Sequence, residues 1–192
     1  MYGHGGDDNI NGGNGADTHL YGQAGNDLIY GANGSDTIYG GSGNDTIYGN
    51  EPPPPNETGD TGDTIFGGSG GDFIYGQGGN DVICGGYGAD ILSGGGGSDS
   101  FVYLDVKDTN DTITDFALGD TINLNALDAD GVLSGNQNFA FGGTTATAHG
   151  VWYAQVGGDT LVYVDTDGNS STAELAITLT GSHALTSSDF IL

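Results

Sequence analysis

A nine-residue period runs through the first half of this chain and leaves little freedom in how that half folds. Aligned in nines, the sequence reads GQAGNDLIY (22–30), GANGSDTIY (31–39) and GGSGNDTIY (40–48). After an interruption come GGSGGDFIY (67–75), GQGGNDVIC (76–84), GGYGADILS (85–93) and GGGGSDSFV (94–102). GHGGDDNIN (3–11) fits in register, and GGNGADTHLY (12–21) carries one extra residue. Such a period marks a repeat architecture, in which each unit buries its apolar face only against its neighbours. Aspartate recurs at one phase, at Asp8, Asp17, Asp27, Asp36, Asp45, Asp63, Asp72, Asp81, Asp90 and Asp99.

Each position of the repeat has its own chemistry. Glycines at Gly22, Gly25, Gly31, Gly34, Gly41, Gly43, Gly68, Gly70, Gly79, Gly86, Gly88, Gly95 and Gly97 allow tight turns and expose main-chain carbonyls. Aspartate supplies hard oxygen ligands of the kind calcium takes. The next three residues, as in Thr46-Ile47-Tyr48, are β-formers with the apolar one central. Strand alternation sends Ile47 to one face and its neighbours to the other. The inward series is then Ile10, Leu20, Ile29, Ile38, Ile47, Ile65, Ile74, Ile83, Leu92 and Phe101. Tyr30, Tyr39, Tyr48 and Tyr75 form an outward ladder, which reads as β-face packing.

Charge makes the carboxylate rows a problem that the fold must solve. Twenty-six acidic residues face one lysine, Lys107, and the net charge is −25. Such a chain cannot neutralise phosphates, so nucleic acid is excluded as a partner. Anionic membrane surfaces are disfavoured too, and no apolar run approaches the ~20 residues of a membrane span. Like charges stacked along a roll repel unless cations sit between them. Metal binding and folding are therefore expected to be one event.

The pattern G-G-x-G-x-D-x-U-x, with U a large apolar residue, resembles the RTX (repeats-in-toxin) calcium-binding family. The resemblance implies an all-β fold, a right-handed parallel β-roll over residues 1–102 with two repeats per turn. It also implies several Ca2+ ions, each between one repeat and the repeat two further on, held by the aspartates and glycines named above. The interruption, residues 49–66, contains four prolines and reads as a protruding loop near 51–58. Its 18 residues equal two repeats, so the register of the turn is expected to hold.

Residues 103–192 lose the period. Longer strand-like stretches appear at 111–116, 120–124, 139–142, 152–156, 160–164 and 175–181, separated by turn signals. They read as a small antiparallel β cap, which a roll needs to cover its last coil. SDSFVY (98–103), DTITDFALGDTINL (111–124), GGDTLVYVDTDG (157–168), ITLTG (177–181) and LTSSDFIL (185–192) resemble the C-terminal region of serralysin-type proteases. The final Asp189-Phe190-Ile191-Leu192 is similar to the uncleaved terminal signal of type I secretion substrates. That resemblance implies a secreted, extracellular protein exported by type I secretion machinery, with any catalytic or adhesive domain upstream. The stretch MYGHGGDDN lacks the basic and apolar regions of a cleaved signal peptide, so export is expected to use another signal. Asp111, Asp115 and Asp120 are expected to close the last calcium sites. Asp165-Thr166-Asp167-Gly168-Asn169 starts like an EF-hand loop but has glycine at the fourth place, and reads better as a hairpin turn.

No catalytic constellation is present in the sequence. There is no H-E-x-x-H, and His4, His19, His149 and His183 never pair at helical spacing. The lone Cys84 excludes an internal disulfide and a thiolate metal site. The chain is expected to be non-enzymatic, a calcium-folded C-terminal module of a larger secreted protein. The other reading is a polysaccharide- or cell-surface-binding module, as in the repeat modules of alginate epimerases. The single lysine weighs against an acidic polymer.

Overall fold

The computed structural model describes residues 1–50, 61–129 and 137–192. The expected proline-rich loop near 51–58 lies outside them. The repeat half forms β1 (Tyr2–Gly5), β2 (Asn9–Asn14), β3 (Leu20–Ala24), β4 (Leu28–Asn33), β5 (Thr37–Ser42) and β6 (Thr46–Tyr48). It continues with β7 (Thr64–Ser69), β8 (Phe73–Gly78), β9 (Val82–Tyr87), β10 (Ile91–Gly96) and β11 (Ser100–Val102). Successive strands alternate between two sheets: odd-numbered strands β1 to β11 build one and even-numbered β2 to β10 the other, with parallel pairing throughout. This is the expected β-roll.

The apolar residue of each repeat points between the sheets and stacks on its counterpart one coil away. One sheet aligns Leu20, Ile38, Ile65, Ile83 and Phe101; the other aligns Ile10, Ile29, Ile47, Ile74 and Leu92. All ten are buried. The extra residue in copy 12–21 is absorbed before Leu20, which pairs with Ile38 as expected.

The interruption is counted differently from its length. Asp36 bonds to Asp63, 27 residues on, and Asp45 bonds to Asp72 at the same separation, where an uninterrupted coil gives 18. Two full repeats would return Asp63 to the row of Asp45. Instead, residues 49–66 occupy the place of one repeat and carry an insertion. The expectation of two repeats is corrected accordingly. The alternation of sheets survives because β6 and β7 still fall on opposite sides.

Beyond residue 102 the roll continues. β12 (Asp111–Ile113) joins β10 in parallel, and β13 (Thr121–Asn123) joins β11 in parallel. Asp111-Thr112-Ile113-Thr114 and Asp120-Thr121-Ile122-Asn123 keep the second half of the repeat, D-x-U-x, without its glycines. The residues that specify the strand are retained, so it adds to the sheet. The expected antiparallel arrangement therefore does not apply to 111–124. It holds for β15 (Gly150–Val156), β16 (Asp159–Val164) and β17 (Leu175–Leu179), which pair antiparallel in that order. β14 (Ala140–Gly143) lies parallel on β15. β17 returns parallel onto β12, and β18 (Phe190–Ile191) lies parallel on β13, so the cap extends both sheets beyond the last coil. Val151, Val162, Val164, Leu175, Ile177 and Leu179 continue the core. Among the described residues, no helix is long and apolar enough to cross a membrane.

Candidate metal centre

The aspartates of the repeat form two unbroken rows, one along each side of the roll. In the first, the backbone N–H of Asp8 donates to Asp27 Oδ1, Asp27 to Asp45, Asp45 to Asp72, Asp72 to Asp90 and Asp90 to Asp111, at 2.7–2.9 Å. In the second, Asp17 donates to Asp36, Asp36 to Asp63, Asp63 to Asp81, Asp81 to Asp99 and Asp99 to Asp120, at 2.7–3.0 Å. One oxygen of each carboxylate thus holds the turn of the coil before it. The rows pass the interruption intact.

The other oxygen is the notable one. Asp8, Asp27, Asp45, Asp72, Asp90 and Asp99 each have a buried Oδ2 with no hydrogen-bond donor; Asp111 has the Tyr103 hydroxyl beside it. Ionised carboxylate oxygens in that position cost several kcal/mol each unless a cation meets them. The chain has no arginine and one lysine to offer.

The first glycine of each repeat shows what these oxygens face. A Cβ on Gly22 would overlap Asp27 Oδ2 and the carbonyl oxygen of Gly40. Gly40 stands likewise before Asp45 Oδ2 and Gly67 O, Gly67 before Asp72 Oδ2 and Gly85 O, and Gly76 before Asp81 Oδ2 and Gly94 O. At each place a carboxylate oxygen and a carbonyl oxygen from the next coil border one gap that glycine leaves open. Hard oxygens, repeated without nitrogen or sulfur, suit calcium. The residues present therefore fit the ion that the sequence implies.

Without an ion, burial drives the carboxyls toward the neutral form. Asp72 and Asp111 are pushed up to about 7, and Asp90 and Asp99 to about 6. Desolvation is the leading cause, neighbouring carboxylates add to it, and the donated backbone N–H opposes it. Burial likewise raises the Cys84 thiol to about 12, so the sulfur stays a protonated core group.

Not every expected residue plays the same part. Gly22 and Gly31 face the oxygen gap. Gly25, Gly34, Gly41, Gly43, Gly68, Gly70, Gly79, Gly86, Gly88, Gly95 and Gly97 have positive φ and lie against backbone of the preceding coil. Sequence reasoning missed the gap glycines Gly40, Gly49, Gly67, Gly76, Gly85 and Gly94, although they open each repeat. It also missed an asparagine ladder, in which Asn44 N–H donates to Asn26 Oδ1 and Gly71 N–H to Asn44 Oδ1. Its signal was the recurring G-N-D. Asp111 and Asp120 end the two rows, but Asp120 Oδ2 accepts from Ala117 N–H. Asp115 stands outside both rows. Its carboxylate accepts from Ser93 Oγ and the N–H groups of Gly94 and Gly95, capping β10 with protein donors.

The outward aromatic ladder divides in two, because consecutive repeats lie on different sheets. Tyr30, Tyr48 and Tyr75 stack on one face at 4.9–5.2 Å. Tyr2, Tyr21, Tyr39 and Phe66 stack on the other at 4.8–5.0 Å.

Comparison with known proteins agrees with this geometry. The chain is similar to a subunit of the mannuronan C5-epimerase of Azotobacter vinelandii, with a TM-score of 0.58 and 25% identity over 81% of this chain and 92% of that one. Extracellular lipase LipA of Serratia marcescens aligns at a TM-score of 0.45 and 16% identity, over 97% of this chain and 38% of that one. No curated protein sequence matches. The family model for the RTX calcium-binding nonapeptide repeat matches residues 1–18, 19–51, 57–86, 66–101 and 85–109. These matches cover more than half of the sequence and take in the two aspartate rows from Asp8 to Asp99, and the chain belongs to the RTX calcium-binding nonapeptide repeat family.

Proposed function

We propose that the chain is a calcium-folded module of a larger secreted protein, exported unfolded and completed outside the cell. The observation that carries this is the row that runs from Asp8 through Asp27, Asp45, Asp72 and Asp90 to Asp111, with a buried, unmatched oxygen at each member before Asp111. Where calcium is scarce the row repels itself, and where calcium is abundant the roll closes. The ion would supply the positive charge; the chain supplies the oxygen ligands and their spacing. Asp111, Asp99 and their row partners hold the ions, and the terminal segment Asp189–Leu192 serves as a type I secretion signal. The module is not itself catalytic, and any activity belongs to a domain upstream.

The test is calcium titration of the metal-free chain followed by far-ultraviolet circular dichroism. A cooperative gain of β signal with calcium and little gain with magnesium is expected, because magnesium holds its water and demands near-octahedral ligands. The same β signal in excess chelator would sink the proposal.

The two half-exposed aromatic stacks favour a second reading, a polysaccharide-binding surface, in which a sugar would meet the ring edges and the open ends of the stacks. The likeness to an epimerase subunit is in keeping with it. A glycan array probed in calcium separates the readings. Binding abolished by Tyr48→Ala with folding intact supports the second.

A further inference from the structure

The geometry points to a separate cation site in the cap, held by Asp165, Asp167 and Glu174, that takes a hard divalent ion of the calcium class. These residues lie in the loop 165–174 between β16 and β17, some distance in sequence from every nonapeptide repeat. One oxygen from each carboxylate lies within 4.8 Å of the other two. Calcium holds oxygens at roughly 2.3–2.6 Å, so ligands around one ion stand up to about 5 Å apart. Three oxygens so placed reach a common ion.

Asp165 is the reason to read this as a site and not as a surface cluster. It is fully buried, at 0% exposure. Its Oδ1 accepts from Gly168 N–H at 2.7 Å, while Oδ2 is buried and has no donor. That is the same signature as the aspartates of the roll. A cation beside Oδ2 resolves it, as hydrogen bonding to protein does not. The remaining ligands are already oriented. Glu174 Oε2 accepts from Thr166 N–H at 2.8 Å, and Asp167 Oδ1 accepts from Asn169 N–H at 2.8 Å. Gly168 has φ +81, and a Cβ there would meet His149 Nε2 at 2.6 Å. Glycine at this place therefore lets the loop lie against His149 while keeping the carboxylates together. The strands on either side form an antiparallel hairpin, as the sequence suggested. The hairpin and the ion site are the same loop.

This site stands independently of the ions in the roll, and the experiment separates them. Bound calcium is counted by equilibrium dialysis on the full chain, for wild type, Asp165→Asn, Asp167→Asn, Glu174→Gln and, in the roll, Asp90→Asn. Thermal unfolding is followed by fluorescence of Trp152, the single tryptophan, which pairs with Tyr163 across β15 and β16. Circular dichroism follows the roll. Asp165→Asn and Glu174→Gln are expected to bind one calcium fewer and to lose the calcium-dependent rise in the Trp152 midpoint. Their roll is expected to keep its own calcium midpoint within about twofold. Asp167→Asn, exposed and harmless to folding, is expected to weaken the same ion at least tenfold. Unchanged stoichiometry and affinity in Asp167→Asn and Glu174→Gln would overturn the site, whether or not Asp165→Asn folds. If the roll held no calcium, wild type would bind one ion that Asp165→Asn loses, so that the roll reading fails and this one stands.

Discussion

Asp72 shows how one residue carries two duties. Its Oδ1 fixes the backbone of Asp45, and its Oδ2 waits for an ion. Replacing it by alanine removes a ligand and also leaves the Asp45 N–H without its acceptor, a loss of about 1–3 kcal/mol for a buried donor. Asp72→Ala is expected to raise the calcium midpoint of folding several-fold, read by circular dichroism. Asp8→Ala, at the half-exposed first coil, is expected to shift it little, because fraying ends open at small cost. Equal midpoints in the two variants would contradict a stack that propagates. Glycine is needed just as sharply at Gly88. Its φ is +149, and an added Cβ would overlap the Gly70 carbonyl. Gly88→Ala therefore forces two coils apart and adds left-handed strain. A loss of about 1–3 kcal/mol or more is expected in calcium-saturated thermal or denaturant unfolding. No loss would contradict the close approach of the two coils at Gly88.

At the scale of a strand and its neighbours, the carboxylate row makes the roll respond to protons and to calcium in opposite directions. Asp72 and Asp111 sit at about 7 in the metal-free fold and Asp90 and Asp99 at about 6, against roughly 3.9 for an unfolded aspartate. A raised carboxyl favours the fold when protonated. Its contribution is full below about pH 4 and is lost as pH climbs through 6 to 7. In chelator, lowering the pH from 8 to 5 is expected to increase β signal. In calcium the order reverses, since ligands must shed protons, and the calcium midpoint is expected to fall from pH 5 to 8 with protons released on binding. A midpoint independent of pH would show that these carboxyls are not the ligands. The strands themselves were mostly legible, because apolar and aspartate phases fix which residue enters the core and which faces the ion. Two strands were misassigned. Residues 111–114 and 120–123 retain D-x-U-x but not the glycines that mark the earlier repeats. The tyrosine ladder was read as one because sequence order hides the alternation of sheets. The gap glycines were overlooked for a related reason: sequence marks where glycine occurs, while the oxygens facing it come from the next coil.

Across the whole molecule the two ends of the roll are unlike. At the C-terminal end β17 covers β12, β18 covers β13, and Phe190 is buried against the core. At the N-terminal end Met1 and Tyr2 are 58% and 55% exposed, and β1 and β2 lie at the ends of their sheets. A stack of coils gains stability by adding each coil to one already formed, so order should spread from the covered end. Its covering was only partly readable: a cap was expected from the need to close strand edges, but the parallel return of β17 and β18 rests on contacts more than 60 residues apart in sequence, which no local pattern records. Phe190 and Ile191, within the segment proposed to direct secretion, also extend a sheet. Two truncations test the polarity. Removing residues 1–19 takes away the first coil, and with it the N-terminal edge strand of each sheet, and the remaining chain is expected to fold at nearly the same calcium concentration. Removing residues 125–192 uncovers Ile113 and Ile122 together with both sheet edges, and is expected to leave the repeats largely unfolded at calcium levels that fold the whole chain. Phe190→Ala refines the second result, since a buried phenylalanine lost to a cavity costs about 3–5 kcal/mol without shortening the chain. Its calcium midpoint should lie between those of the whole chain and the long truncation. Circular dichroism in a calcium series reads all three. If the two truncations shifted the midpoint equally, order would be growing from both ends or from the middle, and the cap would be no more than the last layer of the stack.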